Sequence, residues 1–249
     1  MTSHYEDHFS AHAEAYARHR PGYPAEIYAW LASLAKGREV AWDVGTGNGQ
    51  VAGGLAAYFE RVIATDVSSD QLRHAMAHER VEYRNEPADR VTIADGTVDL
   101  ITAGAAAHWF DLDGFYREVR RVAKAGAVIA LWSYGPRDIA DAFEPILHRY
   151  QEEVLRDYWP ERIRYVNERY ATLPFPFEEV EAPRFEMSAE WTLQEFLGLL
   201  ATWSASQRYL QERGRHPLDE IAAELKEAWG DVDVRRRIAW PIFFRVGRV

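Results

Sequence analysis

Cysteine is absent from all 249 residues, which excludes disulfides, thiolate metal sites and a cysteine nucleophile. Basic charge is in deficit: 29 Lys and Arg stand against 39 Asp and Glu, a formal charge of −10. The deficit is even, −5 on either side of Ala125. No basic half is available to track a phosphate backbone, so no nucleic-acid partner is expected. Apolar runs fall far short of the roughly 20 residues that span a bilayer, so no membrane partner is expected. The opening "MTSHYEDHFS" has neither the basic nor the apolar region of a secretory signal, and a cytoplasmic location is the expectation. Internal repeats and low-complexity tracts are lacking too.

What is present is a soluble core-forming chain, 47% hydrophobic and 13% aromatic, long enough for one large domain or a domain with a small cap. Strand and helix patterns alternate through its first half. "PAEIYAWLASLAK" (24–36) places Ile27, Leu31 and Leu34 on one helical face, with Pro24 in the first turn. "EVAWDVG" is a short buried strand, followed by a glycine cluster and a helix carrying Val51 and Leu55. "RVIATDV" (61–67) is a second strand; Ser68 and Gln71 make a capping box for a helix with Leu72 and Met76 at i, i+4. "VEYRN" (81–85) and "VDLITAGA" (98–105) are further strands. Asp111 caps a helix with Phe115, Val119 and Val122 that stops at Gly126, and "AVIALWSY" (127–134) is a fifth strand. Such alternation predicts a mostly parallel sheet covered on both faces.

The rhythm then changes. Residues 138–170 show helical spacing interrupted by Pro145, with no strand between. "RFEMSAEW" (184–191) is a strand, Thr192 and Glu195 make a second capping box, and Ile238, Trp240, Ile242, Phe244 and Val246 alternate as a last strand. Pro241 requires an edge or a bulge there. The expected division is 1–36, an N-terminal lid; 37–135, the core; 136–183, a helical insertion capping the substrate; and 184–249, the part completing sheet and cap.

"WDVGTGNGQVAGGL" (42–55) is the most informative stretch. Gly45, Gly47 and Gly49 alternate at the junction of strand and helix, where open parallel sheets bind nucleotide-like ligands. A phosphate loop needs Gly-Lys-Ser/Thr, and Gly49-Gln50-Val51 lacks it. A dinucleotide site wants G-x-G-x-x-G, and here the third glycine comes one residue early. An acid two residues ahead of G-x-G-x-G is the signature of a site for S-adenosylmethionine, and Asp43 supplies it. A carboxylate at that place repels a pyrophosphate but suits a methionine ammonium, directly or through water. Asp66 ends the second strand, 21 residues after Gly45, where a carboxylate accepts ribose hydroxyls. Gly53 and Gly54 sit inside the helix and serve packing.

"AWDVGTGNG", "IATDVS", "VDLITAGAAAHWFD" and "EVRRVAKAGAVIALW" together resemble the class I S-adenosylmethionine-dependent methyltransferases, type 11 group. The flanks "YARHRPGYP", "EWTLQEFLGLLATWS" and "WPIFFRVGR" resemble small-molecule methyltransferases akin to trans-aconitate methyltransferase. The resemblance implies a Rossmann-like methyltransferase fold: a mostly parallel seven-stranded sheet, helices on both faces and a helical cap. It implies S-adenosylmethionine as cofactor and a small-molecule methyl acceptor. Asp43, Gly45, Thr46, Gly47 and Gly49 would surround the methionine end, and Asp66 and Val67 the ribose and adenine. Ala88 and Asp89 stand where relatives carry Ala-Glu at the adenine amino group, with an acid one methylene shorter. The stretch Ala103–Ala106, with Ala103 and Ala105, would present backbone beneath the methyl group, and Tyr16, Arg20 and Tyr23 belong to a segment closing over the cofactor.

Methyl transfer rests mainly on orientation, and a base matters only if the nucleophile begins protonated. His108, heading "HWFD", is the candidate base; the alternative is a helix-entry residue that merely hydrogen-bonds. Trp132, Tyr134 and Trp203 either line a pocket or pack the core. His4, His8 and His12 share a helical face, and the reaction calls for no metal there. Three other functions stay open. A nucleic-acid methyltransferase is opposed by the charge, by the lack of an Asn/Asp-Pro-Pro-Tyr motif and by the lack of cysteine. A cofactor-binding regulator without catalysis would share the glycine signature. A nicotinamide oxidoreductase is opposed by glycine spacing and Asp43.

Overall fold

A computed structural model describes residues 22–135 and 142–249. Two compact units divide them: 22–135 with 164–186 and 241–249, and 142–163 with 187–240.

In the first unit, apolar runs too short for helices become the central strands. β1 (Val40–Val44), β2 (Arg61–Asp66), β3 (Val81–Asn85), β4 (Val98–Gly104) and β5 (Ala123–Tyr134) are parallel to their neighbours, in the order β3-β2-β1-β4-β5. β8 (Arg236–Arg248) joins β5 antiparallel, and β6 (Glu178–Glu179) and β7 (Phe185–Trp191) pair with β8. The sheet thus has eight strands against seven expected, the extra one being the two-residue β6. Pro241 lies just beyond the last β5–β8 pair, Tyr134 with Ile242, and offers only its carbonyl, to Gly135 N–H at 3.2 Å.

Strand order reverses between β1 and β4, so the chain leaves their carboxyl ends in opposite directions and opens a crevice there. Helix α1 (Ala25–Leu34) precedes β1, and α2 (Gln50–Leu55), α3 (Ser69–Arg73) and α4 (Leu112–Val122) connect β1 to β2, β2 to β3 and β4 to β5. Trp42, Ile63, Ile101, Phe115, Val119 and Ile129 are fully or almost fully buried and form one core cluster.

Two local expectations are corrected, and a third holds in position only. α4 ends at Val122, not at Gly126, because Ala123 turns extended and pairs with Val98 across an irregular register. α3 stops at Arg73; Met76 lies beyond it, exposed, its N–H on the Asn48 carbonyl at 3.1 Å. Asp111 stands at the N-cap of α4 without a side-chain cap bond; only its carbonyl engages, accepting from Phe115 N–H at 2.8 Å.

In the second unit, Pro145 opens rather than interrupts a helix: it lies in the first turn of α5 (Glu144–Arg149), where its missing N–H costs no hydrogen bond. A π-turn, Tyr150–Val154, follows. α6 (Arg164–Asn167) belongs to the sheet unit. α7 (Leu193–Ala201) carries the expected capping box, with Thr192 and Glu195 bonding each other's main chain. α8 (Ser204–Arg213) and α9 (Ala222–Trp229) complete this unit, whose core stacks Trp229 against Phe143 and Phe196 with ring centres 5.1 and 5.8 Å away. Among the described residues no helix is long and apolar enough to cross a membrane.

Candidate active site

β1 ends in Asp43-Val44, and the chain then turns through Gly45 (φ +64°), Gly47 (φ +55°) and Gly49 (φ +83°) before α2. Left-handed backbone at three alternating positions explains why glycine recurs there. Two of these glycines also meet neighbours at close range. A Cβ at Gly45 would stand 2.7 Å from the Ala106 methyl, and one at Gly49 would collide with the Tyr83 phenol. At Gly47 the nearest atom among the described residues would be 3.9 Å away, so they leave the loop open on that side. Gly54 is a packing residue as expected, since a Cβ there would run into the Tyr28 ring.

Asp43 is buried and turned into the fold. Its Oδ2 accepts from the Thr46 hydroxyl at 2.6 Å and its Oδ1 from the Thr102 hydroxyl at 2.8 Å, on the neighbouring strand β4. Burial pushes its carboxyl up to about 7; the two hydroxyls and the Ala52 N–H offset this in part, and Asp66 adds to it. The acid therefore braces the glycine loop against β4.

Asp66, at the end of β2, takes the Gly47 N–H on Oδ2 and the Ser68 N–H on Oδ1, each at 2.8 Å. Val67 beside it is an exposed apolar side chain. Ala88 and Asp89 lie in the turn after β3, Ala88 half-buried and Asp89 exposed. Ala103 is fully buried in β4, and Ala105 just past it has φ +52°, unusual for a side-chain-bearing residue, with its N–H on the Trp132 carbonyl at 2.7 Å. Trp132 is fully buried between Tyr23 and Phe244, and its Nε1 has no hydrogen-bond acceptor among the described residues.

His108 is buried in a 3-10 turn, Ala107–Trp109, that follows the β4 loop. Its Nδ1 lies 2.8 Å from the hydroxyl of Tyr170, 62 residues onward. Trp203, in the helical unit, packs against Tyr150 and Trp159. Arg20, Tyr16 and the histidines 4, 8 and 12 lie outside the described residues.

The structure thus brings Asp43, Thr46, Gly47, Asp66, Gly45 and the β4 loop together at the crevice. Thr102, Tyr83 and Tyr170 join them without having been singled out. The short apolar run of β4 placed Thr102 in a strand, but no local pattern pairs it with Asp43.

These groups fit S-adenosylmethionine. A carboxylate with an apolar neighbour suits ribose and adenine, and the described residues leave the glycine loop open at Gly47 for close backbone approach. The buried indole N–H of Trp132, beside Gly104 at the end of β4, calls for an acceptor.

Comparison with known proteins agrees. A family described as a methyltransferase domain matches residues 42–131. A protein of Dictyostelium discoideum assigned as a methyltransferase is 30% identical over 92% of this chain and 89% of its own. A Saccharomyces cerevisiae protein assigned as an S-adenosylmethionine-dependent methyltransferase is 25% identical over 96% of this chain and 95% of its own. Among solved structures, one assigned as a type II methyltransferase from Anaeromyxobacter dehalogenans shares 43% identity, with a TM-score of 0.84, over 92% of this chain and 97% of that one.

Proposed function

The chain belongs to the class I S-adenosylmethionine-dependent methyltransferases, and within that family we propose that it methylates a small organic acceptor, a carboxylate or a hydroxyl, by in-line displacement. S-adenosylmethionine, when bound, supplies a methyl group already activated by its sulfonium. The protein's task is then to hold, orient and, for a hydroxyl acceptor, remove a proton.

In this reading Gly45, Thr46, Gly47 and Gly49 receive the methionine end, and Asp43 supports them as a positioning residue and a source of negative field. Asp66 receives the ribose hydroxyls and Val67 covers the adenine, with Ala88 and Asp89 at its amino edge. Ala103 and Ala105 line the methyl side with backbone. His108 takes the proton of a hydroxyl acceptor. The observation that carries the reading is the place of this buried histidine: it follows the β4 loop whose Ala106 abuts Gly45. A small acceptor is favoured over nucleic acid by the even net charge of −10. Kinship with the trans-aconitate methyltransferase type rests on the likeness of residues 16–24, 190–204 and 240–248.

Methyl-labelled S-adenosylmethionine, offered with panels of carboxylates, hydroxyl compounds and amines and with RNA and duplex DNA, tests this. Label is expected in an ester or ether of a small acceptor. Label in nucleic acid alone overturns the substrate class. Tight cofactor binding with no turnover in any panel supports the regulatory alternative instead.

A further inference from the structure

Two adjacent residues that carry side chains, Arg169 and Tyr170, adopt left-handed backbone with φ +54° and +59°. Left-handed backbone is strained for a residue with a side chain, and strain of this kind persists only where the surroundings over-determine it. They do so here. The Tyr170 N–H donates to the Tyr165 carbonyl at 2.7 Å. Arg245 of β8 donates through Nη1 to the carbonyls of Tyr170 at 3.1 Å and Leu173 at 3.0 Å. Glu179 fixes that guanidinium through Nε at 2.9 Å and Nη2 at 2.7 Å. The clamp brings the Tyr170 hydroxyl to His108 Nδ1 at 2.8 Å. Tyr170 is fully buried, and burial holds its phenol far above its ordinary range, so the hydroxyl stays neutral. The Ser133 hydroxyl and the His108 main-chain N–H face the same oxygen; Tyr116 and Tyr134 are the other titratable groups around the phenol.

We propose that Tyr170 is a positioning residue for the reaction: its hydroxyl oxygen accepts the Nδ1–H of His108 and gives its own proton to Ser133. The imidazole is thereby fixed as the tautomer whose Nε2 carries the lone pair. Which ring nitrogen of a histidine is protonated is set by the hydrogen bond the other one makes. Only that tautomer takes a proton from an acceptor hydroxyl at Nε2, becoming imidazolium with Nδ1–H still on the phenol. The inference rests on the reading of His108 as base. It adds the residue that makes the base competent, and explains why a strained turn distant in sequence is clamped on β8.

The test joins a spectroscopic readout to kinetics. Nitrogen-15 resonances of labelled histidine, with His108 assigned by its substitution, are expected to show Nδ1 protonated and Nε2 bare in the wild-type protein. Tyr170→Phe keeps the ring and its packing but removes the oxygen. It should shift His108 toward the Nε2-protonated form and lower kcat on a hydroxyl acceptor about tenfold or more, with KM for both substrates within about twofold. An Nε2-protonated His108 in the wild type, measurable even if the variant fails to fold, overturns the role of Tyr170 whatever the rates. An unchanged tautomer in Tyr170→Phe does the same. An unchanged rate in His108→Ala overturns the base reading itself, whatever the tautomer.

Discussion

The main-chain N–H of Gly47 donates to Asp66 Oδ2 at 2.8 Å, tying the loop after β1 to the end of β2. Asp66 also holds the N–H of Ser68 at 2.8 Å, so one carboxylate organises both turns at this edge of the crevice. A carboxylate offers about four acceptor positions, and two main-chain donors do not exhaust it. Asp66→Ala should therefore act twice. It strips two amides of their acceptor, costing about 1–3 kcal/mol, and it weakens S-adenosylmethionine binding at least tenfold. Thermal unfolding and calorimetric titration separate the two effects. A lowered Tm with unchanged cofactor affinity would confine Asp66 to a structural brace.

The glycines of the loop differ in what they answer to, and substitution should reveal it. At Gly47 an alanine meets nothing closer than 3.9 Å among the described residues, and the left-handed backbone cost is the main one. Gly47→Ala should lower stability by about 1–2 kcal/mol yet weaken cofactor binding much more, because the added methyl enters the open side of the loop. At Gly49 the methyl collides with the Tyr83 phenol, whose hydroxyl donates to the Met76 carbonyl at 2.7 Å. Gly49→Ala should cost more stability than Gly47→Ala, and removing the ring with Tyr83→Ala should recover part of that loss. Equal losses of stability at the two positions, with no recovery in the double variant, would contradict this division.

Much of this site was legible in the sequence because it is local. Alternating glycines, an acid two residues before them and an acid at the next strand end lie within 24 residues, and periodicity alone places them at strand ends. What was not legible is long-range. Thr102 meets Asp43 through strand pairing across 59 residues, and Tyr170 meets His108 across 62. Element ends were misjudged where pairing overrode local preference: Ala123 joins β4 instead of extending α4. The partners of Asp43 were hidden for the same reason. Its sequence position announces a charge near the ligand, but only the fold shows both oxygens turned to hydroxyls.

That burial makes Asp43 a source of pH dependence. Its carboxyl is raised to about 7, chiefly by desolvation, against about 3.9 for an aspartate in an unfolded chain. Between those values the native protein keeps a proton that the unfolded chain has released, so this group's contribution to stability falls as pH rises from about 4 to 7. The slope approaches about 1.4 kcal/mol per pH unit, and above pH 7 the full penalty stands. Asp43→Asn should flatten that part of the stability profile. Cofactor binding should run the other way. A ligand bearing an ammonium and a sulfonium favours the ionised acid, so affinity should rise several-fold from pH 6 to 8, with proton release on binding below pH 7. Titration calorimetry in buffers of different ionisation enthalpy measures both. An affinity flat across that range, or an equal slope in Asp43→Asn, would remove Asp43 as the origin of the effect.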